Sequence, residues 1–280
     1  MTTVFAAGLL DQIASIGSVD MGMLDRLHHE ALTIPTHEDW VAEYGPYQSG
    51  SWFTTSLMND SGVPRDVRIA DCTPKATSLL DRMPATRAYL QSLGLRYMWV
   101  RLARLGPNGF LWEHRDYDDL EKAERFRLHV PLVTNSSAAL ILGGARIHLR
   151  PGRVWKLAPT HVHGACNLLG PDRLHLILDC YRDLAFDALT ADSSLEAAEV
   201  LQLPEPDARE IDSHSERARS LIRLGYLDAA EKHLLRLFYR YTLPEGTVYD
   251  LIASAYEEVG RPDKARAWRK DKVTLLGLGR

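Results

Sequence analysis

The 280-residue sequence predicts a mainly β protein with helices at both ends, built on a double-stranded β-helix of the jelly-roll, cupin-like kind. Three observations lead there. From Leu95 to Tyr181 the chain breaks into short runs of branched and aromatic residues separated by turn signals. Before and after that region, apolar residues recur at helical spacing. Hydrophobic content of 45% and charged content of 25% suit one large core, alone or with a small appendage.

Taken in order, residues 1 to about 30 carry helical periodicity. Their opening Met1-Thr2-Thr3-Val4-Phe5-Ala6-Ala7-Gly8-Leu9-Leu10 is apolar but has no basic lead-in, and Asp11 cuts it short. It reads as a mature N-terminus, not a secretion signal. A second helical stretch covers 73–93 and contains Ala76-Thr77-Ser78-Leu79-Leu80-Asp81-Arg82-Met83. The strand-like runs are Tyr97–Leu105, Phe110–Trp112, Phe126–Thr134, Ala138–Leu142, Arg146–Leu149, Val154–Leu157, His161–Cys166 and Leu174–Tyr181. Leu105-Gly106-Pro107-Asn108-Gly109, Gly143-Gly144 and Pro151-Gly152 mark turns between them.

After Pro204-Glu205-Pro206 the chain turns helical and richly charged. Leu224-Gly225-Tyr226-Leu227-Asp228-Ala229-Ala230 recurs as Val259-Gly260-Arg261-Pro262-Asp263-Lys264-Ala265, at an offset of 35 residues. That is close to the ~34 of tetratricopeptide helix pairs, but two copies are fewer than a free-standing array needs. The expected division is therefore 1–190 for a barrel with N-terminal helices and 205–280 for a C-terminal helical subdomain docked on it. The docked tail reads as a buttress or dimer contact in preference to a peptide-binding groove.

Composition excludes several classes. A formal net charge of −4 gives no electrostatic footprint for nucleic acid. No apolar run approaches the ~18 residues that cross a membrane. Cys72, Cys166 and Cys180 are sparse and odd in number, which argues for a reducing compartment, expected to be the cytoplasm, and against a disulfide framework. Cys166 and Cys180 fall in strand-like runs and read as small core hydrophobes.

The chemistry concentrates in Glu113-His114-Arg115-Asp116, read with His163 and Arg173. Two imidazoles and one carboxylate bind one face of Fe(II) and leave the other positions for oxygen and a co-substrate. His-x-Asp alone is ordinarily a surface His beside a solvated Asp. At a strand end, however, side chains at i and i+2 share a face. The third ligand is His161 or His163, which alternate along one strand-like run, while His148 and His175 read as structural. Arg173 offers the bidentate fork that a buried carboxylate needs. Arg127 and His129 also share a face; otherwise Arg127 belongs to a surface charge cluster with Glu121, Lys122, Glu124 and Arg125. Arg101 and Arg104 point to opposite faces of one apolar run, and an interior Arg is costly without an anion.

These motifs resemble the Fe(II)/2-oxoglutarate dioxygenases of the aspartyl/asparaginyl β-hydroxylase type, and within them the bacterial L-proline cis-4-hydroxylases. The matching segments are His114-Arg115-Asp116-Tyr117, Arg127-Leu128-His129-Val130-Pro131-Leu132, Gly152-Arg153-Val154-Trp155, His163-Gly164-Ala165-Cys166, Arg173-Leu174-His175-Leu176 and Asp179. Gly50-Ser51-Trp52 and Asn59-Asp60-Ser61-Gly62 match an N-terminal substrate-side segment more weakly. The resemblance covers roughly residues 45–185 and implies His114, Asp116 and His163 as iron ligands, His163 being favoured by its ten-residue spacing to Arg173. It implies Arg173 as the anchor of the distal carboxylate of 2-oxoglutarate, with Arg127 and His129 near the proximal one. Arg101, thirteen residues before His114, becomes a substrate-carboxylate clamp and Trp52 a pocket wall. The implied cofactors are Fe(II), 2-oxoglutarate and O2. Because halogenating relatives replace the carboxylate, Asp116 points to hydroxylation, and the resemblance implies a free L-amino acid as substrate, with L-proline leading and a cis-hydroxyproline product. The alternatives are hydroxylation of Asp or Asn in a polypeptide, a non-catalytic small-ligand or peptide-binding module, and a metal-dependent isomerase or lyase that would leave Arg173 without a purpose. The expected partner is a small amino acid, with neither nucleic acid nor membrane, and the C-terminal helices are the expected contact of any homodimer.

Overall fold

The computed structural model describes residues 8–35, 39–116 and 124–278. Met1–Ala7 of the apolar opening, Tyr117 of the His114 motif, and Glu121 and Lys122 of the charge cluster lie outside the described residues.

Thirteen strands form two antiparallel sheets among the described residues. The strands are β1 (Ile13–Ser18), β2 (Val41–Ala42), β3 (Trp52–Asn59), β4 (Lys75–Ala76), β5 (Tyr97–Leu105), β6 (Gly109–Phe110) and β7 (Arg125–Val133). β8 (Ala138–Leu142), β9 (Ala145–Ile147), β10 (Arg153–Leu157), β11 (His163–Asn167), β12 (Arg173–Tyr181) and β13 (Val200–Gln202) follow. The large sheet runs β1-β10-β7-β12-β5-β3-β2 with β4 on β3, and the small sheet runs β13-β9-β8-β11-β6. Their order and antiparallel pairing make the jelly roll expected from the runs.

Register decides which side chains face inward. Directly paired residues project to the same side, so the row Ser56–Arg101–Ile177–His129–Trp155 shares one face of the large sheet. Its neighbours Trp99–Asp179–Arg127–Leu157 and Trp52–Leu105–Arg173 lie on that face too. This inner face and the small sheet enclose Ile13, Leu111, Leu140, Leu142, Trp155 and Ala165. The opposite phase, Val100, Leu102, Leu128, Val130, Leu176 and Leu178, packs outward against helices α2 (Met21–Leu32), α3 (Ser78–Asp81) and α4 (Pro84–Leu93). A short α1 (Leu9–Gln12) precedes β1.

Beyond α5 (Leu184–Thr190) and β13, helices α6 (Ala208–Arg223), α7 (Leu227–Leu235), α8 (Thr247–Glu258) and α9 (Pro262–Leu276) make two hairpins. The repeated glycines take the left-handed turn between the helices of each hairpin, at φ +87° for Gly225 and +76° for Gly260. The hairpins pack on the outer face of the small sheet, where Phe110, Ala139, Ile141 and Cys166 meet Leu234, Tyr249 and Trp268.

Three local expectations are corrected. Residues 13–18 form a strand, not part of an N-terminal helix, because Ile13, Ala14, Ser15 and Ile16 are buried in succession and the strand pairs with β10 on both sides of a bulge at Ile16. A helix with one face in solvent would not bury four residues in succession. His161 lies in an exposed turn before β11, not on the same strand as His163. Past Phe110 the expected strand gives way to single contacts, with Leu111 bridging to Gln48 and the Trp112 N–H donating to the Tyr47 carbonyl.

Candidate metal centre

His114 and His163 are brought together by the backbone. Each N–H donates to the other's carbonyl at 3.0 Å, an isolated bridge that sets the two rings 4.5 Å apart. The Asp116 N–H donates to the Pro159 carbonyl at 2.9 Å, returning the next side chain to the same point. The Nδ1 atom of His114 bonds the Trp112 carbonyl at 2.6 Å, and that of His163 bonds the His161 carbonyl at 2.8 Å. With Nδ1 carrying the proton, each Nε2 lone pair is left for a metal. Those atoms lie 3.7 Å and 3.6 Å from the two Asp116 oxygens, and all three ligand atoms fall within 4.8 Å of one another.

The electrostatics suit a cation. Burial and the neighbouring His163 push His114 down to about 4, so its ring is neutral at pH 7. Burial pushes the Asp116 carboxyl up, but the Arg127 guanidinium outweighs it and holds the group well below its ordinary range. Arg127 bonds Asp116 directly and reaches Asp179 at 2.7 Å, and Asp179 also holds Arg101. Arg127 and Arg101 therefore face inward, while Arg104 faces out towards Asp172.

The triplet opens on a small cavity lined by Tyr44, Trp52, Arg127, His129, Arg173 and Ile177 among others. Two buried atoms there, Arg173 Nη1 and His129 Nε2, have no hydrogen-bond partner. Arg173 Nε donates to the His175 ring at 3.1 Å, which gives that histidine a structural role. Burial lowers Arg173 only to about 10, so it stays cationic, yet no carboxylate pairs with it among the described residues. A buried cation with an open donor is what the distal end of a dicarboxylate requires. The residues present thus fit both a divalent metal and a dicarboxylate ligand.

Two sets of residues near the centre escape sequence reasoning. Glu43, Tyr44 and Tyr47 come from the segment after β2. The ring of Tyr47 stands 5.0 Å and that of Tyr44 6.3 Å from His114. Only Gly45-Pro46 signals a turn there. The second set is the C-terminal brace on Leu111–Asp116. The Arg115 N–H donates to the Leu275 carbonyl at 2.8 Å, and its guanidinium grips Glu245 at 2.7 Å and the Leu276 carbonyl at 3.1 Å. Gly246 N–H donates to the Glu113 carboxylate at 2.9 Å, and the Tyr249 and Tyr239 hydroxyls donate to the carbonyls of Glu113 and Leu111.

Barrel and triplet define a jelly-roll protein with one buried group that could hold a metal ion. The chain belongs to the aspartyl/asparaginyl β-hydroxylase family, whose model matches residues 23–183. It is 26% identical over 277 residues to L-proline cis-3-hydroxylase 1 of a Streptomyces species, covering 93% of this chain and 92% of that one. To the L-proline cis-4-hydroxylase of Rhizobium meliloti (strain 1021) it is 29% identical over 161 residues, 55% of this chain and 56% of the relative. A Pseudomonas putida prolyl-4-hydroxylase structure aligns with 62% of this chain and 95% of its own at 15% identity, with a TM-score of 0.42. No helix among the described residues is long and apolar enough to cross a membrane.

Proposed function

We propose that this protein hydroxylates a free L-amino acid, L-proline or a close analogue, to a cis-hydroxylated product using Fe(II), 2-oxoglutarate and O2. One observation carries the reading: the buried His114–Asp116–His163 triplet shares its cavity with Arg173, a buried cation that lacks an anion. In it, the triplet holds the iron and Arg173 takes the distal carboxylate of 2-oxoglutarate. His129 donates from Nε2 towards the co-substrate, and Arg127 keeps Asp116 ionised beside the proximal carboxylate. When bound, iron and 2-oxoglutarate supply the oxidation, in which O2 is divided between succinate, formed with loss of CO2, and the hydroxyl of the product. The chain's own part is to orient the substrate and exclude water, with Arg101 gripping the amino-acid carboxylate and Trp52 walling the pocket.

The names of the Streptomyces and Rhizobium relatives support a free imino acid as substrate. The unit of catalysis would be residues 1–190, with 205–280 a helical subdomain that props it. Three unpaired cysteines suit a reducing cytoplasm. The test is succinate formation from 2-oxoglutarate and Fe(II) across the free amino acids, with mass detection of one added oxygen. Turnover on L-proline or an analogue is expected. Modification of an Asp- or Asn-containing peptide, with no free amino acid accepted, would overturn the reading.

A further inference from the structure

Glu43 is a buried acid, 8% exposed, and no ion pair joins it to a basic residue among the described residues. Its Oε2 accepts from the Thr54 hydroxyl and from Trp52 Nε1 at 3.4 Å. Both donors are neutral and both side chains stand on the inward face of β3, and Trp52 lines the cavity. A buried carboxylate without a cation is costly unless a ligand supplies one. The nearby guanidinium of Arg101 is the foremost charge acting on it, yet Arg101 is committed to Asp179 through Nη1. The Nε and Nη2 of that same arginine are buried and unpartnered. Just behind Trp52 and Tyr44 of the cavity wall there is therefore an acid in need of a cation, near a guanidinium with donors to spare.

We propose that Glu43 accepts the charged amino group of the substrate while Arg101 binds its carboxylate, so that the pair recognises the zwitterion of a free α-amino or imino acid. This rests on the amino-acid reading above and sharpens it. A residue inside a polypeptide has no ammonium group at that position and would leave Glu43 buried and unpaired. Glu43 is then the residue that separates free substrate from peptide.

The experiment compares two ligands of nearly equal shape, L-proline and (S)-tetrahydrofuran-2-carboxylate, whose ring oxygen replaces the ammonium. Binding of each is measured by calorimetry to the anaerobic Fe(II)- and 2-oxoglutarate-loaded protein, wild type and Glu43→Gln. The variant should weaken L-proline by roughly tenfold to a hundredfold, the worth of a charged hydrogen bond, and leave the furan acid unchanged. Glu43→Asp keeps the charge and should retain part of the preference for proline. An equal loss for both ligands would make Glu43 a support for its turn only, and no loss for either would remove it from the site. If the wild-type protein binds no free amino or imino acid, the substrate reading itself fails and takes this proposal with it.

Discussion

At the residue scale, the centre separates atoms that bind from atoms that merely position. His161 shows the distinction: its carbonyl, not its ring, holds His163 Nδ1, and the ring is exposed. His161→Ala should leave turnover within about twofold, as for a surface change, whereas His163→Ala should abolish both iron retention and hydroxylation. Metal content after gel filtration, measured beside activity, checks the pair, and equal effects would dissolve the assigned triplet. Arg173→Lys keeps the charge but loses the fork, so the 2-oxoglutarate requirement should rise by roughly tenfold to a hundredfold. Iron binding should be unchanged, and a co-substrate titration at saturating iron reads the split. These residues are legible in the sequence because few side chains can ligate iron or clasp a carboxylate, and their spacing narrows the choice. Glu43, Tyr44 and Tyr47 are not legible, because a loop without periodicity brings them from far upstream.

At the scale of elements, the segment Leu111–Asp116 is poorly held by the sheet and well held by the C-terminal helices. Arg115 sits between His114 and Asp116, the two proposed ligands of this segment, and is tied to Glu245, Leu275 and Leu276. Arg115→Ala should lower stability by about 1–2 kcal/mol, the worth of its hydrogen bonds, and weaken iron binding at an unchanged 2-oxoglutarate requirement. A melting curve together with iron titration tests this; a loss of stability with iron affinity intact would reduce Arg115 to a surface tie. The long strands β5, β7 and β12 are legible because their branched residues alternate over many positions. β1 is hidden because its short run without clear alternation fits a helix as well as a strand until β10 is there to pair with it.

At the scale of the whole molecule, the two sheets enclose the site while helices cover both outer faces, so stability is spread over three large apolar clusters. The C-terminal cluster carries a pH dependence of its own. His214 Nδ1 and His233 Nε2 lie 3.0 Å apart between α6 and α7, a bond that needs one proton and one lone pair. Burial lowers both, His233 to about 4. Their folded values fall below the unfolded one near 6.5, so as pH drops the unfolded chain takes up protons first. Stability is then whole above about pH 6.5, declines below it and levels off near 4. Both rings are partly exposed, so solvent screens the effect; a fall in Tm of roughly 2–4 °C between pH 7 and 5 is expected, and His233→Gln should flatten it. The overall plan is legible from the succession of short runs and the repeated glycine turn. How the tail meets the barrel is not, because that contact depends on shapes that exist only once both parts are folded.

The brace on the Leu111–Asp116 segment also has a bearing on time. Arg115 and Leu276 are separated by 161 positions along the chain, and closing so long a loop is entropically late compared with neighbouring strand pairing. During refolding, sheet signals should therefore return before the ability to take up iron, and the interval between them measures how long the barrel waits for its tail.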